Sequence, residues 1–281
     1  MLLKYNFISP ELFHQNIKHD GLVLHPVLEK YILDNISKLQ EGTIIFTNTF
    51  DIITSNNDSN KRIPIYYNSK RTKYQHTIFK SPYSFEQNNI NLSSKIRDCV
   101  INQIVLSNTC CMNNKSLKRI LLGIGGEYYV YHVIFKKFGY SRMLGFTNND
   151  YIHKDAEYNY SYHKMSDYAT SYYLESYLNF IMESDNDKHN LDKIIDELTQ
   201  KNICIDIIIN LSKLNVNVLQ FIVRLKKNIN SVTIISCHEK DFNTKSQLLP
   251  LKFTTNMKSY AFVDETMNQK VSVYHTKFSY F

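Results

Sequence analysis

The chain contains no tryptophan, and only seven glycines and five prolines in 281 residues. That scarcity excludes collagen-like, proline-rich and glycine-rich linker segments, and the 43% hydrophobic content excludes a disordered chain. Cysteines are few and odd in number: Cys99, Cys110, Cys111, Cys204 and Cys237. No C-x-x-C pair and no Cys/His zinc spacing occurs, so the expectation is a reducing compartment without a disulfide framework. The ten histidines form no H-x-x-x-H or H-E-x-x-H, so no metal is expected. No stretch reaches the roughly 18 apolar residues of a membrane span, and Met1-Leu2-Leu3-Lys4-Tyr5-Asn6 lacks the apolar core of a signal peptide. A soluble cytoplasmic protein with no membrane partner is expected.

What is present is basic, tyrosine-rich and strongly patterned. The formal charge is +7, spread over pairs such as Lys61-Arg62, Lys70-Arg71, Lys118-Arg119 and Lys226-Lys227. Scattered pairs fit a solvated surface and permit an anionic partner such as RNA. Abundant Asn, Lys, Ile and Tyr track an AT-rich genome; a microbe, a parasite or a large DNA virus would each fit, and for a viral protein the compartment would be the host cytoplasm.

Two polar zones break the first third, Thr54 to Arg62 and Glu86 to Ser94. The second is taken as a boundary between an N-terminal extension, residues 1–90, and a main domain, residues 91–281. The extension predicts a helix over Pro26 to Leu39, a strand at Thr43 to Phe46 and a hairpin-like pair at Ile63 to Tyr67 and Gln75 to Phe79.

Beyond residue 115 strand and helix signals alternate. Strands are expected at Arg119 to Leu122, Arg142 to Phe146, Ile203 to Ile209 and Ser231 to Cys237, with a closing hairpin of Tyr260 to Val263 and Lys270 to Tyr274. Helices are expected at Glu127 to Phe138, from a Ser166-Asp167 cap to about Glu183, at Asn190 to Lys201 and at Val216 to Lys227. This alternation predicts an α/β fold: a Rossmann-like, mostly parallel sheet with helices on both faces, plus an N-terminal α+β extension.

The motif with most chemical content is Gly123-Ile124-Gly125-Gly126-Glu127, set between a strand and a helix. Glycines there let a ligand approach the main chain, and the following helix N-terminus offers free N–H groups. A dinucleotide fingerprint would want glycine at Tyr128, and Glu127 would oppose a pyrophosphate, so NAD is disfavoured. The strand followed by G-x-G-G resembles motif I of the class I S-adenosylmethionine-dependent methyltransferases, over roughly residues 115–275. In that resemblance Gly123, Gly125, Gly126 and Glu127, with Asn148 and Asp150 after the second strand, hold S-adenosylmethionine. Asp206, Asn210 and Lys213, around the end of the fourth strand, are the catalytic candidates. The sequence departs from the family by Leu121, where an acid is usual, and by Asn148-Asn149 ahead of Asp150.

A methyltransferase acting on RNA is one implied function; a catalytically inactive subunit of the same fold, binding RNA or a protein partner, is the other. The ordered set Lys95, Asp206, Lys240 and Glu265 echoes ribose 2′-O-methyltransferases, but in so lysine-rich a chain it carries little. The Tyr151 to Tyr177 segment interleaves tyrosines with Lys154, His163 and Lys164, a composition able either to stack on bases or to pack a half-buried face.

Overall fold

The computed structural model describes residues 3–7, 42–46, 52–54, 62–68, 75–81, 90–108, 116–180, 188–211, 213–249, 256–264 and 269–278. The chain divides into two compact units, residues 1–63 with 80–83, and residues 64–79 with 84–281. The first unit holds strands β1 (Leu3–Phe7), β2 (Gly42–Phe46) and β3 (Ile52–Thr54), with β2 antiparallel to both neighbours. The helix expected over Pro26 to Leu39 and most of the polar loop after Thr54 lie outside the described residues. The expected pair β4 (Ile63–Asn68) and β5 (Gln75–Lys80) forms a two-stranded sheet.

The second unit holds nearly all of that pair and continues with α1 (Ile90–Asn108), which the sequence did not announce. Its Leu92, Ile96, Val100, Ile101 and Ile104 recur at helical spacing and are buried. There follow β6 (Lys118–Gly125), α2 (Tyr128–Phe135), β7 (Arg142–Thr147), α3 (Asp150–Tyr162) and β8 (Ala169–Tyr173). Then come α4 (Lys188–Leu198), β9 (Ile203–Asn210), α5 (Val216–Arg224), β10 (Ile229–Ser236), α6 (Glu239–Lys245), β11 (Lys258–Asp264) and β12 (Gln269–Lys277).

These seven strands form one sheet in the order β8-β7-β6-β9-β10-β12-β11. β6 to β10 pair in parallel, while β12 runs antiparallel to both β10 and β11. Strand alternation assigns the two faces. Ile120, Leu122 and Ile124 join the core that contains Ile194, Leu198, Val218 and Phe221 of α4 and α5. Leu121, Met143 and Ile208 join the core that contains Val100, Ile104, Tyr129 and Ile152 of α1, α2 and α3. The Rossmann-like α/β architecture is therefore present, with helices on both faces of a mostly parallel sheet.

One expected element is corrected. The helix predicted from Ser166-Asp167 to Glu183 is instead β8, followed by a short 3-10 turn at Tyr177–Phe180. The run Ala-Thr-Ser-Tyr-Tyr pairs in register with β7, and its β-branched and aromatic side chains suit a half-covered edge strand. The helix lies earlier, in the tyrosine-rich α3, whose Asn149 cap accepts from the Ile152 N–H at 3.2 Å.

Chain order reverses between β6 and β9: β7 and β8 are added on one side, β9 and β10 on the other. Open α/β sheets bind ligands at the carboxyl ends of the strands beside such a reversal. Among the described residues, no helix is long and apolar enough to cross a membrane, and no three His, Cys, Asp or Glu side chains gather as a metal site.

Candidate functional site

The glycine turn closes on the end of β9. Gly125 pairs in register with Asn210, and the Gly126 N–H donates to the Asn210 carbonyl at 2.7 Å. Gly125 has φ +96°, and a Cβ there would fall on that carbonyl and lie 2.7 Å from Leu211 Cδ2. Only glycine satisfies both the angle and the approach. Gly126 is different, since a Cβ would sit 3.6 Å from the Asn210 oxygen, an ordinary contact. Gly123 serves the core: with Gly145 it makes room for the buried ring of Tyr128, whose hydroxyl lies 2.6 Å from Ser171 Oγ.

Above this turn lies a cavity of about 240 Å³, lined by the carboxyl ends of β6, β7, β9 and β10, by Val271 of β12 and by one face of α1. Its floor is Gly125 and Gly126; Thr147, Asn148, Asn149 and Ile152 form one wall, Asn210, Leu211, Ile235 and Cys237 the other. Tyr177 lines it too, with its hydroxyl hydrogen-bonded to the Thr147 side chain and the Asn148 backbone, and burial pushes that phenol up to about 12. Burial also raises the Cys237 thiol.

Glu127 caps α2 in the left-handed region, φ 52°. Its carboxylate is buried and accepts from Arg97 Nη2 of α1 at 3.3 Å. A non-glycine residue held at positive φ is uncommon; here it presents a buried ion pair to the cavity. Arg97, Ser93 and Ile96 were not among the sequence candidates. They sit on α1, whose i, i+4 apolar spacing from Leu92 to Ile104 was the readable signal.

The remaining candidates fall in four places. Asn148 and Asn210 line the cavity. Asp150 is exposed at the start of α3 and accepts from Lys154 Nζ at 2.6 Å, so its carboxylate is engaged away from the lining. Lys213 is exposed beyond the β9 exit. Asp206 lies four residues before Asn210, fully buried, and accepts from Ser231 Oγ (2.5 Å), Asn230 Nδ2 (2.8 Å) and Tyr140 Oη (2.8 Å), with Arg119 at 3.9 Å. Burial pushes its carboxyl pKa up, against those hydrogen bonds. It is absent from the cavity lining and serves as a packed polar anchor. Of the set Lys95, Asp206, Lys240 and Glu265, Lys95 is exposed on α1, and Glu265 lies outside the described residues.

The cavity thus combines apolar walls, three side-chain amides and one ion pair. Its ionisable lining is Arg97, Glu127, Tyr131, Tyr177 and Cys237. Burial shifts all three of the last away from the charged form. Such a lining suits a reaction carried by positioning more than by proton transfer.

The sequence matches no protein-family model and no curated protein sequence. Solved structures with a similar chain path include the METTL16 MTase domain (11% identity, 84% of this chain and 87% of that one, TM-score 0.47). Two others are the N-terminal domain of human METTL16 in complex with SAH (12%, 72% and 76%, 0.46) and a precorrin-8w decarboxylase from Methanobacterium thermoautotrophicum (11%, 72% and 97%, 0.44). Their names span more than one activity.

Proposed function

We propose that this protein is an S-adenosylmethionine-dependent methyltransferase that acts on RNA. The observation that carries the reading is the Gly125-Gly126 turn, locked beneath the Asn210 carbonyl as the floor of a cavity at the lip of the parallel strands.

The residues present fit the cofactor. Its amino-acid end bears one positive and one negative charge, and the cavity presents a carboxylate, Glu127, beside a guanidinium, Arg97. The amides of Asn148 and Asn149 would hold its ribose hydroxyls in place of the usual acid, and Ile152 and Ile235 supply apolar wall. When bound, the sulfonium supplies the methyl group. Asn210, at the β9 exit, orients the acceptor in line, and the geometric alignment of donor and acceptor carries the rate. Lys213, exposed just beyond, would meet a phosphate of the acceptor rather than the reacting atoms.

One observation favours a second reading, a non-catalytic subunit of the same fold: Asp150 is spent on Lys154 and leaves no carboxylate at the end of β7. Calorimetric titration with S-adenosylhomocysteine separates the two. Cys237 lines the cavity and is exposed, so its alkylation gives an independent readout by mass spectrometry. The expected result is saturable heat together with protection of Cys237. A folded protein that gives no heat and no protection overturns the cofactor reading and leaves the subunit reading standing.

A further inference from the structure

Helix α3 is amphipathic in an unusual sense. Its inner face buries Ile152, Asp155, Ala156, Asn159 and Tyr160, while its outer face carries Tyr151 (41% exposed), Tyr158 (44%) and Tyr162 (55%). Tyr158 and Tyr162 are one helical turn apart, so their rings share a face. Both pack edge-on against Phe79 of β5, at centroid distances of 5.2 and 4.5 Å, which fixes the rings while leaving much of their surface to solvent. Of the acids on this helix, Asp150 accepts from Lys154 at 2.6 Å, and Glu157 stands 3.6 Å from His153, a pairing that forms when the imidazole is protonated.

At the far end of α3 positive charge accumulates. Lys136 Nζ, just past α2, donates to His163 Nδ1 at 3.3 Å, so the imidazole carries its proton on Nε2 and donates it to the Thr77 carbonyl at 2.7 Å. Lys137 and Lys164 follow in sequence, both exposed. Tyr162 stands edge-on to His163 at 5.0 Å, which makes the aromatic and basic groups contiguous. Burial and the neighbouring Lys137 lower the Lys136 pKa, and His76 is pushed down to about 4 by burial and then by Lys136, His163 and Lys137. Clustered like charge is unfavourable in the free protein and favours an anion.

The opposite end of α3 reaches the cavity, because Asn149 and Ile152 line it. We infer that the outer face of α3, with Phe79 and the Lys136, Lys137 and Lys164 cluster, is a binding track for single-stranded RNA that ends at the cavity mouth. The lysines take phosphates, and Tyr158 and Tyr162 stack bases; Tyr151 stands nearest the cavity. Stacking plus backbone charge is how single strands are held with little sequence preference. The inference rests on the RNA half of the proposed function and is independent of the cofactor half.

Fluorescence anisotropy with a labelled single-stranded RNA of about a dozen nucleotides tests it, with matched single-stranded DNA and duplex RNA as further arms. The wild type is expected to prefer single strands. The variant Tyr158→Ala/Tyr162→Ala should weaken binding roughly tenfold or more, and Tyr158→Phe/Tyr162→Phe, which keeps the rings, should restore it. Lys136→Gln/Lys137→Gln should flatten the slope of log affinity against log salt by roughly 1.4, about 0.7 for each lost phosphate contact. S-adenosylhomocysteine titration of the same variants separates the claims, since cofactor affinity should not move. Unchanged RNA affinity in the double alanine variant overturns the track, as does preference for duplex or no oligonucleotide binding at roughly 50 mM salt; retained cofactor binding in any of these cases leaves the cofactor reading intact.

Discussion

Asp206 and Asn210 stand four residues apart on one strand and meet opposite fates. Asp206 is closed in by Ser231, Asn230, Tyr140 and Arg119 with no solvent contact. Asn210 turns its backbone to the glycine turn and its residue to a cavity. A polar residue inside an apolar run is thus an anchor where partners from other strands converge, and a site where the strand runs out beside a chain reversal. The difference lies in tertiary partners and not in residue chemistry, which is why the carboxylate is sealed in the core while the amide residue lines the cavity.

The comparison breaks most visibly if the anchor is removed. Asp206→Ala leaves Ser231, Asn230 and the Tyr140 hydroxyl without their shared acceptor and Arg119 without its counter-charge, and breaking a buried charged network costs about 3–5 kcal/mol. Denaturant unfolding should show that loss, or the chain should fail to accumulate folded. If Asp206→Ala instead unfolds like the wild type but loses methyl transfer, the anchor assignment is wrong and Asp206 belongs to the chemistry.

Acid sharpens the same contrast between sealed and open polar groups. His132 is fully buried, its Nδ1 lies 2.6 Å from the Tyr160 hydroxyl, and burial pushes its pKa down to about 3. His275, between Ser107 and Thr233, is pushed to about 4 by burial, with Lys258 and Lys277 adding to the shift. Both stay neutral in the fold while the unfolded chain takes up protons near 6.5. Their contribution to stability is complete above that value and is lost as pH falls towards 4 and then 3. Urea midpoints should therefore drop between about pH 7 and pH 5, above the ordinary carboxylate range, and His132→Gln should flatten the drop. Midpoints that hold constant over that interval would show that the two imidazoles are not sealed.

Four of the five parallel strands, β6, β7, β9 and β10, were legible with the glycine turn because buried strands leave continuous apolar, β-branched runs, and the closing hairpin showed as two short runs of strand-forming residues. Sequence reading missed α1 and misplaced α3 for related reasons. The polar residues before Ile90 resemble a linker, and the α3 tyrosines, half buried and half exposed, blur a helical period. Ser166-Asp167 imitates a cap ahead of what is an edge strand. Within the site, Asn148, Asn210, Gly125, Gly126 and Glu127 were legible from their place after strands. Arg97 was not, because a lone arginine on an unrecognised helix gains meaning only from Glu127, thirty residues away in sequence and 3.3 Å away in space. Gly123 looked like the others in the motif, and only the ring of Tyr128 shows that its absent side chain serves packing.

The finest test separates the two glycines of the floor. Gly125→Ala forces a side chain into positive φ and onto the Asn210 carbonyl, so it should cost roughly 1–3 kcal/mol of stability and disturb the site with it. Gly126→Ala meets only ordinary contacts at 3.6 Å and beyond, and stability should stay within about 0.5 kcal/mol of the wild type. Its added methyl instead stands at the floor of the cavity, so S-adenosylhomocysteine affinity should fall while the unfolding curve does not move. Calorimetry and denaturation on the same two variants then distinguish a turn that builds the fold from a turn that also meets a ligand. Unaltered affinity in Gly126→Ala would mean that the ligand does not pass over this turn, and the Arg97–Glu127 pair would have to be explained as packing alone.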